Sequence, residues 1–224
     1  MSESTTSKAS AKSKNEKLKE KIRQAYIEHR LISGGVPGSV FAFCKDLKIK
    51  ESEFYQHYNS FLQIEQDFWK DKMHITKERL HDSSEWEEFS TREKLLAFYF
   101  TWFEEVLEDR SFSLKSFPSK PAGPFSDDPL QELKKEFDTF IKELLIEGES
   151  KGEIASRGPI SARYSDLLWM QFMFLFNYWR KDSSQGFEQT DAAIEKSVNL
   201  GFDLMGKGVV ESLFDFGKFL LKQN

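Results

Sequence analysis

Between Ser39 and Tyr58 the chain reads SVFAFCKDLKIKESEFYQHY, and its second half collects side chains able to form directed hydrogen bonds: Lys50, Ser52, Glu53, Tyr55, Gln56 and His57. They sit among apolar residues at helical spacing. Val40, Phe43, Cys44 and Leu47 form one set, Ile49, Phe54 and Tyr58 a second, and the break falls near Lys48. The spacing predicts two short helices joined by a tight turn. The polar groups are of the kinds that bond phosphate oxygens or base edges, and a helix carrying them outward suits a major groove. Chemistry of other kinds is not indicated. The sequence has no glycine-rich phosphate loop, no cysteine cluster and no nucleophile-elbow motif, so it reads as a non-enzyme without a cofactor. His74, Glu78 and His81 lie at i, i+4 and i+7 and share a helix face, but exposed faces produce such triplets by chance. A solvated face is expected there, and no metal site is assigned.

The elements that must position this stretch are all helical. A first helix is expected from about Asn15 to Ser33, ended by Gly34 and Gly35. After the paired short helices, Ser60 and Gln63 give a capping-box start to a long fourth helix bearing Leu62, Ile64, Phe68, Trp69, Met73 and Leu80. Ser84 with Glu87, and Ser90 with Glu93, mark a short turn and then a fifth helix to about Asp109. The segment from Phe117 to Pro129 holds four of the six prolines and must be a loop. Asp128 and Pro129 read as an N-cap and first position of a helix to about Glu147. A glycine-bearing break from Glu149 to Pro159 precedes a helix from Ala162 to Lys181, and the chain from Phe187 to Leu221 reads as one kinked helix or two meeting at Gly206 and Gly208. Placed at 100° per residue, Gly208 to Lys222 spreads its apolar positions over an arc of ~220°, more than one core-facing stripe needs. That surplus would face a second subunit or a membrane surface.

The N-terminal part resembles the tetracycline-repressor (TetR) family over residues 16 to 70. The family pattern of helix, glycine, helix, turn and a recognition helix ending in Leu-Tyr-x-His-Phe is held here by Gly34, by Phe43 and Cys44, and by Phe54, Tyr55, Gln56, His57 and Tyr58. Lys48 stands where the family turn usually has Gly, Arg30 near a usual Phe, and Phe61 in place of a phosphate-gripping Lys. The resemblance implies an all-α, TetR-like fold: a disordered basic tail over 1–14, a helix-turn-helix head over 15–59, and a helical ligand-binding and dimerisation body over 60–224. By position it places Lys50, Ser52 and Gln56 on base edges, and Ser39, Lys48, Tyr55 and His57 on phosphates. Glu53 would repel phosphate or accept from a cytosine amine. The implied assembly is a homodimer through the C-terminal helices, reading a palindromic double-stranded operator.

Composition fits this division. The net charge of −5 conceals an asymmetry, because residues 1–50 hold 11 Lys or Arg against 5 Asp or Glu, a surplus of +6 that leaves −11 for the rest. A positive head on a negative body orients the head toward phosphate, although Lys-rich tails also serve solubility. The longest apolar run, Leu167 to Trp179, is interrupted by Gln171 and Asn177 and falls short of the ~20 residues of a spanning helix. No secretory segment opens the chain, and one Cys makes no internal disulfide, so a cytoplasmic location is expected.

Aromatic residues, 15% of the chain with 22 Phe, crowd into the body. Phe98, Trp102, Phe137, Trp169, Phe172 and Phe176 are candidates to line a cavity for a small apolar or lipid-like ligand, or else to fill a core. Residues 182–198 are similar to the Asp-Ser-Ser-x-x-Phe-Glu-x-Thr segment of the TetR-fold lipid-binding proteins of coenzyme-Q biosynthesis, through Asp182, Ser183, Ser184, Phe187, Glu188 and Thr190. The same residues suit a plain helix cap, with Phe187 as the staple. Two functions follow: a TetR-like repressor sensing a small apolar molecule, or a non-enzymatic lipid or isoprenoid binder whose degenerate head no longer reads DNA.

Overall fold

The computed structural model describes residues 3–118 and 128–206, with side chains from Lys14 onward except at 159, 160 and 162. Among the described residues there are nine α-helices and no strand: α1 (Glu3–Ser33), α2 (Val40–Leu47), α3 (Glu51–Tyr55), α4 (Phe61–His81), α5 (Thr91–Glu108), α6 (Arg110–Ser116), α7 (Gln131–Ser150), α8 (Tyr164–Lys181) and α9 (Glu188–Met205). The residues expected to form a helix from Gly208 to Lys222, and most of the proline-rich loop, lie outside the described residues. None of the described helices is long and apolar enough to cross a membrane.

Helix starts follow local chemistry. Glu93 accepts from the Ser90 backbone at 2.8 Å while Ser90 Oγ accepts from the Glu93 backbone at 3.3 Å, a reciprocal cap that opens α5. Ser60 Oγ accepts from the Gln63 backbone, but Gln63 reaches back to the Asn59 N–H instead of the Ser60 N–H. Asp128 Oδ1 accepts from the Leu130 backbone just ahead of α7. α1 differs from expectation, beginning at Glu3 rather than near Asn15. No Gly or Pro precedes Gly34, and Ala9, Ala11 and the lysines favour helix, so the backbone has no reason to stop at the polar boundary near Lys14.

The chain forms two compact units. The first comprises Met1–Lys70 and Asp109–Glu132, so the unit containing α1 to α3 also takes in the start of α4 and all of α6, a wider body than residues 15–59. Its core is aromatic. The Phe61 ring stacks on Tyr26 at 5.4 Å and meets Phe43 and Phe54 edge-on at 5.3 and 5.6 Å. Phe61 thus serves as a packing hub in a place where the family has a Lys. Phe112 of α6 meets Phe68 at 4.8 Å and Tyr26 at 6.3 Å. Arg30 also has a structural account. Glu65 is buried, and the Tyr26 hydroxyl donates to its Oε1 at 2.6 Å while the Arg30 guanidinium lies 3.1 Å from the same oxygen. Burial pushes the Glu65 carboxyl up, opposed by the Tyr26 hydrogen bond and the Arg30 charge. A Phe at Arg30 would leave that carboxylate without its counter-charge.

The second unit comprises Asp71–Glu108 and Leu133–Asn224. α5, α7, α8 and α9 each bury one face, with Phe98, Tyr99, Trp102, Phe137, Phe140, Phe172, Phe176, Ile194 and Val198 all nearly inaccessible. Ionic groups are buried with them: Lys72 Nζ lies 2.8 Å from Glu105 Oε1 and donates also to the Glu105 carbonyl at 3.2 Å, and the buried Lys94 pairs with Glu147 at 2.8 Å.

Candidate nucleic-acid interface

α2 and α3 are joined through Lys48, whose φ of 56° and ψ of 45° place it in the left-handed region. Its N–H donates to Lys45 at 3.2 Å and the Ile49 N–H donates to Cys44 at 3.0 Å, so the helix ends where the sequence breaks. A lysine in this conformation costs ~1–2 kcal/mol that glycine would avoid. α2 begins with Ser39 Oγ accepting from the Ala42 backbone at 3.1 Å, which leaves the Ser39 hydroxyl hydrogen available to a phosphate. The N-cap of α3 is Lys50, whose N–H donates to Glu53 Oε2 at 2.8 Å. Glu53 is therefore occupied as a cap.

Beneath these helices Phe43, Cys44, Phe54 and Tyr58 are buried, and the Phe43 and Phe54 rings meet edge-on at 6.2 Å. Tyr58 is anchored by its hydroxyl to Asp67 at 2.9 Å, and Lys19 pairs with the same carboxylate at 2.7 Å. Above them Ser39, Lys48, Lys50, Ser52, Tyr55 and Gln56 are all exposed. His57 departs from this row. It is half-buried, its Nε2 is inaccessible and without a hydrogen-bond partner, and burial followed by the Lys19 charge pushes its pKa down. The one-turn α3 rotates His57 toward the core, so a phosphate contact through Nε2 requires the ring to turn out. Its offset from the buried Phe54 and Tyr58 carried that signal weakly.

Five of the six rings expected to line a cavity meet one another, and the sixth, Phe176, packs on Trp179. Phe137 lies 5.3 Å from Trp169 and 5.2 Å from Phe172, Trp169 stacks on Phe172 at 5.1 Å, and Trp102 meets Phe172 at 5.2 Å. Phe98 lies 5.8 Å from Phe137, and Phe176 packs on Trp179 at 5.3 Å. All except the partly buried Trp169 are nearly inaccessible. An open apolar groove of about 550 Å³ instead runs between α8 and α9, along Leu167, Met170, Phe174, Leu200, Gly201 and Leu204. Periodicity identified the apolar character of α8 but not that one stripe stays uncovered: Leu167, Met170 and Phe174 are each more than half exposed.

Of the histidine triplet, His74 Nε2 lies 3.7 Å from Glu136 and His81 meets the Trp86 ring at 5.5 Å. No group of three or more candidate metal-binding side chains occurs among the described residues. The Asp182 segment behaves as a cap. Asp182 Oδ2 accepts from the Thr190 backbone at 2.9 Å and its hydroxyl at 2.7 Å, while Oδ1 accepts from Ser184 in the same two ways. Those hydrogen bonds, the Ser184 hydroxyl foremost, hold the Asp182 carboxyl down at about 2.

No curated protein matches the sequence. Among solved structures, the chain is similar to a Shewanella sp. PV-4 protein assigned to the tetR family of transcription regulators, with 14% identity over 84% of this chain and 97% of that chain and a TM-score of 0.60. It is also similar to a regulatory protein in the tetR family from Rhodococcus RHA1, with 15% identity over 85% of this chain and 97% of that one, at a TM-score of 0.49. The profile of the tetracyclin repressor-like C-terminal domain matches residues 94–220, which is more than half the length. With that match to the body and the helix-turn-helix arrangement in the first unit, the chain belongs to the tetracycline-repressor-like family.

Proposed function

We propose that the protein is a cytoplasmic DNA-binding regulator of the repressor type, with residues 15–59 reading DNA and residues 60–224 sensing a small apolar ligand and forming a homodimer. The observation that carries this reading is the joint at Lys48: two short helices on a buried aromatic layer, with Lys48, Lys50, Ser52, Tyr55 and Gln56 exposed in one run. Lys50, Ser52 and Gln56 meet base edges, and Ser39, Lys48 and Tyr55 fix the register on phosphates. His57 joins the phosphate contacts only after its ring rotates.

The exposed stripe of α8, flanked by Leu200 at 60% and Leu204 at 47% exposure on α9, supports a second copy of the chain as its cover. An isologous pairing presents two heads to a palindromic operator. α4 begins in the first unit and ends in the second, so one continuous helix carries a ligand-dependent change from body to head. An apolar ligand enters by parting the ring cluster around Phe137, Trp169 and Phe172, since binding must favour one of two packings to act at all.

The test is a fluorescence-anisotropy titration of the full chain with a random duplex pool at low salt. Binding is expected, with log K falling against log salt by ~0.9 per phosphate neutralised. Absence of binding to every duplex at ~50 mM salt overturns the reading. It would leave the lipid-binding alternative, a non-enzymatic carrier with a degenerate head, which the turned-in His57 favours.

A further inference from the structure

In the second unit a cavity of about 240 Å³ opens where the last turns of α5 and α8 meet the start of α9. Its walls are Phe100, Phe103, Trp179 and Phe187, and Glu104 and Asp191 stand among its lining groups. The rings form a connected wall, with Phe103 5.7 Å from Trp179 and Trp179 6.1 Å from Phe187. Phe187 reaches this place by an unusual backbone route. Its φ is 63°, directly after Gly186 at 61°, and a bulky residue in the left-handed region is an outlier. The four hydrogen bonds to Asp182 close the loop around it. The loop therefore holds an unfavourable backbone whose visible result is to lay a ring against Trp179 at the cavity.

The electrostatics point the same way. Asp191 is exposed, and partial desolvation, then Glu195, Asp182, Glu104 and Glu188, push its carboxyl up. The C-terminal turns of α5 and α8 add their negative ends, and the positive start of α9 is countered by Asp182 and by Glu188 and Asp191 in its first turn. Opposing charges are Arg79, paired with Glu104 at 2.7 Å, and Arg180 and Lys181 in the last turn of α8. Ring faces beside carboxylates attract a cation too large and too weakly hydrated to prefer water.

We propose that this cavity binds a small organic cation, a quaternary or protonated alkylammonium, with its charged head against the partly exposed rings of Phe100 and Phe187, the latter backed by the buried Trp179, and Asp191 as counter-charge. A neutral apolar guest would gain nothing from the carboxylate. The proposal goes beyond the regulator reading and does not rest on it, because the cavity lies within one unit and its test involves no DNA.

The experiment is calorimetric titration of the full-length protein with choline and with its uncharged isostere 3,3-dimethylbutan-1-ol, followed in parallel by Trp fluorescence. Choline is expected to bind at least ~10-fold more tightly than the isostere. Asp191→Asn, at an exposed position, and Phe187→Leu, which keeps bulk but removes the ring face, should each weaken choline by about tenfold with the melting transition retained. Equal affinity for choline and the isostere overturns the proposal in favour of a merely apolar pocket. So does unchanged choline affinity in both variants, or no detectable choline binding at millimolar concentration.

Discussion

α3 and α8 each bury aromatic residues on one side, Phe54 on the first and Phe172, Phe176 and Trp179 on the second, yet their outward faces are opposites. α3 and its flanks expose Lys50, Ser52, Tyr55 and Gln56; α8 exposes Leu167, Met170 and Phe174. The first face offers hydrogen bonds and positive charge, so whatever it binds is held by interactions that salt weakens. The second offers only the exclusion of water, which added salt does not weaken. One chain thus carries two outward faces of opposite character that salt would separate, and the contrast can be attacked from either side.

The largest effect is expected on the apolar face. Met170→Glu combined with Phe174→Glu puts two carboxylates into the stripe of each copy, hence four into a symmetric pair, and should raise the dimer dissociation constant ~100-fold or more, read by sedimentation across a concentration series. An unchanged distribution of masses would remove the stripe from self-association. On the polar face, Lys50→Ala should cost ~1–3 kcal/mol of operator affinity and relax preference at one base position, while Tyr55→Ala should weaken all duplexes alike. Competition binding with single-base operator variants distinguishes them. The joint between α2 and α3 should give a smaller effect of opposite sign: Lys48→Gly relieves the left-handed lysine and should stabilise the protein by ~1 kcal/mol in denaturant melts, while lowering the salt slope of DNA binding by ~1. If stability falls instead, the lysine is not strained.

The smallest effect concerns Asp182 and is a matter of pH. Its carboxyl ionises at about 2 in the folded protein against an ordinary 3.8, so its contribution to stability is full above the ordinary value and disappears as pH falls through about 2. Asp182→Asn should therefore melt below the parent protein at neutral pH, and the two should converge between about pH 4 and 2. A gap constant across that range would mean that the amide loses packing rather than charge.

Legibility in the sequence depended on how local each cause was. The cap at Ser90 and the break at Lys48 need only a few neighbouring residues, and each lies where spacing placed it, while Asp128 closes a turn at Leu130 and α7 begins at Gln131, two residues after Pro129. The exposure of Ser52, Tyr55 and Gln56 follows from the burial of Phe54 and Tyr58 by simple periodicity, whereas Lys50, i−4 from Phe54, is exposed because it is the extended N-cap ahead of α3. What escaped depends on distant partners. Arg30 and Phe61 looked like lapses from a family pattern until Glu65 and the Tyr26 ring were beside them. Composition could not tell whether Phe98, Phe137 and Phe172 surround a space or fill it, because that turns on distances of a few ångströms between helices. The aromatic wall at Phe187 depends on a positive φ that no residue type announces.

Cys44 has a use unconnected with any of these partners. It is the chain's single thiol, 1% exposed on the inner face of α2, and burial followed by the charges of Glu51 and Glu53 pushes its pKa up. A maleimide or disulfide reagent can reach it only when the packing around α2 opens, and the rate of labelling then counts those openings. The protein carries its own stopwatch for the helix-turn-helix: an operator that clamps α2 should slow the reaction in proportion to its occupancy, without a fluorophore or a mutation.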